Sequence, residues 1–459
     1  MYKIDFKHPC SVHFIGIGGI SMSGFAELLH SFGFTVTGSD RNESSITEHL
    51  KKLGIHVVYG QKAENITENI DFVVYTAAIQ PSNPEYQEAE RLQIPLMNRA
   101  DMVGQIMKNY TSSIAIAGTH GKTTTTSIAS QIFLEAGFDP TISVGGIYKS
   151  IGSNIRIGSS EYFITEACEY TNSFLHFYPT IGIILNIEED HLDFFKDIDD
   201  IRHSFRRFAE LIPPHGALII NADIPNYEEI TNGLSCRVLT FALEHDADFT
   251  ADNIRYDDMG CPIFNLCVQA KKAGEYHLSV PGLHNVGNSL ACLALASLYD
   301  MEHDVLQRAF SACHGPDRRF QHKGLCNGIT IIDDYAHHPQ EIQATLNTAK
   351  HFPHRNIWCV FQPHTYTRTR NFLHEFAEAL LTADNIILTD IYAAREQDPG
   401  DISSQNLADE IAELGKKVYY FHTFEEIKSF ILKNLVDGDL LITMGAGNVG
   451  DIGDDLINL

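Results

Sequence analysis

The 459-residue chain is 44% hydrophobic and 20% charged, the composition of an ordinary folded protein, and carries a formal net charge of −26. That acidity argues against a general nucleic-acid binder or a partner of anionic membranes, both of which need a basic face. The length exceeds what one core fills, so about two to four domains are expected. There is no apolar leader and no stretch long and apolar enough to span a bilayer, and the nine cysteines include no Cys-x-x-Cys pair. A reduced, cytoplasmic protein with neither nucleic-acid nor membrane partners is the expectation.

In chain order, Ser11–Ile15 reads as a strand that runs into a glycine turn at Gly16, Gly18 and Gly19 and then a helix through Phe25 and His30. Further strands are expected at Thr35–Thr37, ending at Asp40, and at Asp71–Tyr75, ending at Thr76-Ala77-Ala78. Strands alternating with helices imply a parallel sheet whose ligands sit at the strands' carboxyl ends. The first turn is a loose dinucleotide-type loop, because Ser21 stands where a strict Gly-x-Gly-x-x-Gly needs glycine. Asp40 lies at the spacing of a ribose-binding acid, and a diphosphate can rest on the new helix's N-terminus.

A second segment opens at Ile114–Ala117, an apolar strand followed by Gly118-Thr119-His120-Gly121-Lys122-Thr123-Thr124 and a helix. Glycines admit close approach of phosphates to backbone N–H groups, Lys122 supplies positive charge, and the Thr123 hydroxyl suits Mg²⁺. Ile116 occupies the first glycine position of the longer loop, so the match is to a shorter form. ATP binding is the expectation. Strands at Tyr162–Thr165, Ile181–Leu185 and Gly216–Ile220 follow, then an antiparallel patch over about 236–281 and a helix from Asn285 to Leu298. Glu166 and His191 follow two of these strands. If those strands flank the loop strand, both residues reach a divalent cation beside Thr123, with Mg²⁺ favoured by oxygen donors and Mn²⁺ admitted by the histidine. Asn285 and Asn288 share a helical face, where their amides suit adenine.

A third segment starts near Arg318, with strands at Ile329–Asp333, Ile357–Phe361, Asn385–Thr389 and Asp439–Thr443. It carries Arg318-Arg319-Phe320, Asp333-Asp334-Tyr335-Ala336-His337-His338-Pro339 and an arginine-rich stretch holding Arg368 and Arg370. Arginines at strand ends suit carboxylates and phosphates. The fold class expected is α/β in three domains: a Rossmann-like domain over 1–108, a central P-loop-type ATPase domain with a parallel sheet over 109–317, and a C-terminal Rossmann-like domain over 318–459.

Taken in order, these motifs resemble the Mur ligase family. The resemblance rests on Ile15–Gly24, Gly118–Thr124, Glu166-Ala167-x-Glu169, Asn186-Ile187-x-x-Asp190-His191-Leu192-Asp193, His284-Asn285-Val286-x-Asn288, Arg318–Phe320, Asp333–Pro339 and Gly445–Gly447. It implies ATP-dependent transfer of phosphate to the lactyl carboxylate of UDP-N-acetylmuramate and attack on the acyl phosphate by the amine of L-alanine, in peptidoglycan precursor synthesis. By the same resemblance, Gly118 to Thr124, Asn285, Asn288, Arg318 and Asp334 hold ATP, while Thr123, Glu166 and His191 hold Mg²⁺. Gly18, Gly19, Ile20, Ser21 and Asp40 take the UDP-sugar. Tyr335, His337 and Arg368 line the alanine pocket, with Lys122, Glu166, His191, His337 and Arg368 acting in catalysis. The protein is expected as a monomer or homodimer.

The chain departs from the family pattern at Cys168, Asn172 and Thr365, where relatives often carry acids or an arginine, so no role for those groups carries over. Cys168 reads either as a thiol-reactive site or as a packed small residue. A murein-tripeptide acceptor in place of alanine is the nearest alternative. A nicotinamide-dependent oxidoreductase, suggested by the first loop alone, leaves Lys122, Glu166 and His191 unexplained, and an ATP-gated regulatory protein without ligase chemistry is a third reading.

Overall fold

A computed structural model describes every residue except Met1, Ala77, Asp193 and Arg395, together with all side chains but those of Ile147 and Lys149 as well. Asp193, which ends one expected motif, and Ala77, in the turn after the third expected strand, thus lie outside the described residues. The chain divides into two compact units, the first comprising Met1–Thr250, Cys267–Lys271 and Asn288–Ala309, the second Ala251–Leu266, Lys272–Gly287 and Phe310–Leu459.

The first unit begins with β1 (Ser11–Ile15), β2 (Thr35–Asp40), β3 (His56–Tyr59), β4 (Phe72–Tyr75) and β5 (Leu96–Asn98), a sheet in the order β3-β2-β1-β4-β5. All its pairings are parallel. Helices cross between the strands, as parallel pairing requires. After β1 comes the helix Ile20–Ser31, and after β5 the helix Arg99–Met107. The strand order reverses at β1, so the loop after β1 opens at a switch point.

The same unit continues with β6 (Ser112–Ala117), β7 (Thr141–Tyr148), β8 (Ser153–Arg156), β9 (Tyr162–Ala167), β10 (Ile181–Ile184), β11 (Ala217–Asn221) and β12 (Arg237–Ala242). Their order is β12-β11-β10-β6-β9-β7-β8, with β6 flanked in parallel by β10 and β9. Apolar residues of both sheets and the helices join one core, from Val12 and Phe14 through Phe25, Met102 and Ile106 to Phe163, Phe174 and Phe208. β6 reads Ser-Ser-Ile-Ala-Ile-Ala with no exposed residue, the near-continuous apolar run of a strand covered on both faces.

The sheet extends to β13 (Phe249–Tyr256), β14 (Pro262–Val268) and β15 (Lys271–His277), within which the chain passes between the units. Here the expected antiparallel patch fails at its start: β12 pairs parallel with β11, and Phe241 and Ala242 pair parallel with Phe249 and Thr250. The short helix Glu228–Thr231 makes the crossover before β12. After β12 the Asp223 carboxylate accepts from the backbone N–H groups of Leu243, Glu244 and His245, which carries the chain back instead of folding a hairpin.

The second unit holds β16 (Gln321–Cys326), β17 (Ile329–Asp334), β18 (Ile357–Phe361), β19 (Asn385–Leu388), β20 (Val418–Tyr420) and β21 (Leu440–Met444), ordered β16-β17-β21-β18-β19-β20. Only the edge strand β16 pairs antiparallel. Successive residues of β18 face opposite cores: Ile357, Cys359 and Phe361 join one cluster, Trp358 and Val360 the other. Both faces are covered, as a parallel sheet demands. Among the described residues no helix is long and apolar enough to cross a membrane, and all nine cysteines are free.

Within the first unit the helix Arg99–Met107 packs on the turn at 170–176 at Gly104, where an added Cβ would stand 2.0 Å from the carbonyl oxygen of His176. Backbone oxygen cannot step aside as a flexible side-chain end can. Gly104→Ala is therefore expected to cost about 3 kcal/mol, read as a lowered urea midpoint of the full chain.

Candidate active site

Register along β6 assembles the first cluster of residues. Glu166 of β9 pairs with Ile116, and Ala117, the last residue of β6, pairs with Ala167 and Ile184. The chain then enters the turn through Gly118 (φ +148) and Gly121 (φ +81). A Cβ at Gly118 would lie 2.9 Å from Leu185 Cβ, and one at Gly121 would lie 2.9 Å from Asn288 Oδ1. Glycine is required at both by conformation and by space. Asn186 clamps the loop from both sides: its Oδ1 accepts from the His120 N–H at 2.7 Å and its Nδ2 donates to the His120 carbonyl at 3.1 Å. Thr119 is tied to the same neighbouring loop, with Oγ1 accepting from the Glu188 N–H at 3.0 Å.

The helix Lys122–Glu135 starts here, so Lys122, Thr123 and a buried Thr124 occupy its first turn. The Lys122 ammonium donates to the carbonyls of Gly118 and Thr119 and lies 3.0 Å from Glu169 Oε2. Burial alone lowers its pKa, but the carboxylate charges of Glu169 and Glu166 and the hydrogen bond to Glu169 outweigh burial and raise it, so the amine stays cationic. Thr123 Oγ1 donates to Glu166 Oε2 at 3.1 Å, while Glu166 Oε1 accepts from the Gly145 N–H. His191 sits at φ +55 with Nε2 at 3.7 Å from Asp190 Oδ2 and 4.0 Å from Glu169 Oε1, its ring 4.4 Å from that of Tyr170. His120 pairs instead with Glu188 at 3.1 Å. Lys122 and His191 thus share one acid, Glu169, to which the sequence motif had assigned no task, while Thr123 pairs with Glu166. Cys168 is not an activated thiol: burial first and Glu169 second push its pKa up.

The first glycine loop holds itself in shape. The N–H groups of Gly16 and Ile17 donate to the Ser39 carbonyl, and Asp40 Oδ2 accepts from the Gly18 N–H at 2.8 Å. Gly19 caps the next helix without a side-chain bond, leaving the amides at Ile20 and Ser21 for a ligand. A cavity of about 320 Å³ opens between this helix start and β9. Ser21, Arg99, Gly145, Asn154, Glu166 and Cys168 are among its walls. Asn154 of β8 reaches across to donate to the Ile20 carbonyl at 3.2 Å. No motif pointed to Arg99 or Asn154.

The second unit carries a separate cluster at the carboxyl ends of β17, β18 and β21. The Arg318 guanidinium donates to Asp333 at 2.8 Å and to the carbonyls of Gly445 and Gly447 at 2.7 and 2.9 Å, so it braces two loops. Asp334 accepts from the N–H groups of Phe320 and Ala336 at 2.6 and 2.8 Å. Burial raises its pKa to about 6. His337 Nδ1 lies 3.0 Å from the Tyr335 carbonyl and 3.3 Å from Glu341 Oε2. A carbonyl only accepts, so Nδ1 bears the proton and Nε2 is the acceptor. Tyr335 stacks its ring under Arg318 and Arg319, at 5.1 and 5.6 Å. Arg368 Nη1 donates to His364 Nδ1 at 3.1 Å, and His364 stands 5.7 Å ring to ring from His337. Arg370 is paired with Asp401, and Thr365 caps the helix by accepting from the Arg368 N–H, so neither places a second cation beside Arg368. Glu341, four residues beyond His337 and 3.5 Å from Arg319, was legible only as an i, i+4 spacing. Of the asparagine pair, Asn288 belongs to the first unit, against Gly121, and Asn285 to the second, donating to the Pro281 carbonyl at 2.7 Å.

Burial, the largest influence, lowers the pKa of His337 to about 4. The fold therefore favours its neutral form, and the stability this contributes is present above the free value near 6.5 and lost as pH falls toward 4. Nitrogen NMR at pH 6 is expected to show His337 neutral with the proton on Nδ1; an imidazolium at that pH would contradict the assignment.

Three family models match in succession: "Mur ligase family, catalytic domain" over residues 11–111, "Mur ligase middle domain" over 116–296 and "Mur ligase, glutamate ligase domain" over 318–447. The chain is 56% identical to a UDP-N-acetylmuramate–L-alanine ligase of Agathobacter rectalis and 48% identical to one of Caldanaerobacter subterraneus, covering 100% and 99% of both partners respectively. Its fold matches the crystal structure of UDP-N-acetylmuramate-alanine ligase from Thermotoga maritima with a TM-score of 0.80 at 28% identity, over 98% of each chain. A murein peptide ligase of Psychrobacter arcticus shares the fold at a TM-score of 0.70 and 24% identity, over 98% of each chain. With its motifs in family order and its relatives matched end to end, the chain belongs to the Mur ligase family.

Proposed function

We propose that this protein joins L-alanine to the lactyl carboxylate of UDP-N-acetylmuramate, turning ATP into ADP and phosphate through an acyl-phosphate intermediate, in the cytoplasm. The observation that carries the reading is the convergence of Lys122, Thr123 and Glu166 at the ends of β6 and β9, in a chain similar along its whole length to L-alanine ligases. A carboxylate is a poor electrophile, and phosphorylation supplies a leaving group. Two anions must first meet, which demands fixed positive charge in a site that excludes water.

In this reading residues 1–108 take the sugar nucleotide, 109–317 bind ATP and 318–459 receive the amino acid. The Gly118–Gly121 backbone and the first turn of Lys122–Glu135 cradle the phosphates, with His120, Thr124 and Asn288 shaping that loop and Asn285 reserved for the adenine. Lys122 exchanges its carbonyl and Glu169 contacts for the phosphate in transfer. The oxygen donors of Thr123 and Glu166 fit Mg²⁺, which neutralises phosphate charge when bound, and His191, with Asp190 and Glu169 beside it, fits a second divalent ion. Asp334 keeps lone pairs for a ribose hydroxyl, while Arg318 serves that loop by bracing it. The amino-acid carboxylate falls to Arg368. His337 offers Nε2 to the amine as its proton leaves, held in that tautomer by the Tyr335 carbonyl and Glu341.

The deciding assay is phosphate release with UDP-N-acetylmuramate, ATP and a panel of acceptors. L-alanine is expected to be used; turnover with a murein tripeptide alone would replace this reading with that of the recycling ligase. Lys122→Ala is expected to lower kcat by about a thousandfold or more while leaving the affinity for the sugar nucleotide nearly unchanged, because the ammonium acts on the phosphate in flight. Equal losses in both would place Lys122 in ground-state binding instead.

A further inference from the structure

Arg99 stands in the wall of the cavity beside Ser21, at the start of the helix Arg99–Met107 and immediately after Asn98, the last residue of β5. Among the described residues lining that cavity it is the only cation. Its one hydrogen bond among the described residues runs from Nη1 to Ser21 Oγ at 3.2 Å, and no carboxylate there comes within ion-pair distance. A half-buried guanidinium without a counter-ion costs free energy that a bound anion recovers. The same cavity reaches Gly145 and Glu166, the residue that Thr123 contacts, so an anion beside Arg99 shares one cavity with that residue, and Asp40 is not among its walls. A planar guanidinium pairs two N–H groups with the two oxygens of a carboxylate, which fixes the plane of the acid and aims one oxygen.

We propose that Arg99 recognises the acid arm of the sugar nucleotide, binding its carboxylate in the cavity and so separating a sugar nucleotide that bears a carboxylate on its sugar from one that does not. Asn154 and the Ser21 hydroxyl hold the guanidinium and the helix start in register for that pairing. The diphosphate is left to the helix N-terminus at Ile20 and Ser21, whose N–H groups have no side-chain cap. This assignment rests on the ligase reading, but it fails separately from it. Wild-type ligation of L-alanine tests the reading, while ligand discrimination tests Arg99.

The experiment measures binding of UDP-N-acetylmuramate, UDP-N-acetylglucosamine and an ATP analogue to the full chain by calorimetry, for wild type, Arg99→Ala and Arg99→Lys. The expected result is a loss of about tenfold or more for UDP-N-acetylmuramate in Arg99→Ala, with UDP-N-acetylglucosamine and the ATP analogue held within about twofold. Arg99→Lys, which keeps the charge and loses the fork, is expected to fall between. Equal losses for both sugar nucleotides would move Arg99 to the diphosphate and overturn the proposal, as would no loss for either. Should Arg99→Ala fail to bind the ATP analogue, the ratio of the two sugar nucleotides in Arg99→Lys decides: an unchanged ratio overturns the proposal.

Discussion

Lys122 is the charge around which the first unit is arranged, and the loop and its neighbouring acid fix its position. Two loop carbonyls and the nearly buried Glu169 carboxylate hold the ammonium. That hold depends on register. Only because β9 and β10 flank β6 in parallel do Glu166, Glu169 and Asn186 emerge at the same level as the turn after β6. A slip of one residue would turn Glu166 to the other face of the sheet and remove the partner of Thr123. The buried aliphatic strands take no part in the chemistry directly, yet their packing is what keeps Lys122 against Glu169 and Thr123 against Glu166.

The two clusters solve opposite electrostatic problems. In the first unit, acids keep a buried amine charged, because Glu169 and its neighbours outweigh the cost of burial. In the second, burial wins: His337 and His284 are driven toward the neutral form, His337 despite Glu341, and Arg319 adds to the effect on both. A cation suits a phosphate, and a neutral imidazole suits an amine that has to shed a proton. The same physical terms, weighted differently by a neighbouring carboxylate or arginine, thus leave a cation in one cluster and a neutral imidazole in the other.

Most of the architecture was legible from local pattern. Apolar runs of about five residues ending at glycine marked the strands that carry the loops, and Lys122, Thr123 and Glu166 followed from their place after those runs. The short edge strands β3, β5, β8 and β20 were not legible, since three or four residues carry too little periodicity to stand out. The parallel course of β12 and β13 was hidden because Asp223, a lone acid, redirects the chain through three amides. Glu169 and Asn186 sat in quoted motifs, but their tasks appeared only with distances. Arg99 had no motif at all: its meaning comes from the cavity, which is made by elements far apart in sequence.

The bonding of Lys122 within its own loop bears on which anions the loop can attract. Its ammonium already has four oxygen partners, two carbonyls and both oxygens of Glu169, so an incoming anion gains only the difference between its own contacts and those it displaces. A lone inorganic phosphate offers little beyond what Glu169 and two carbonyls supply. A nucleotide brings additional contacts along the loop and beyond it, and these tip the exchange. In the proposed reading, discrimination against small anions thus begins with contacts inside the loop, because any ligand of Lys122 has to displace Glu169 and two carbonyls.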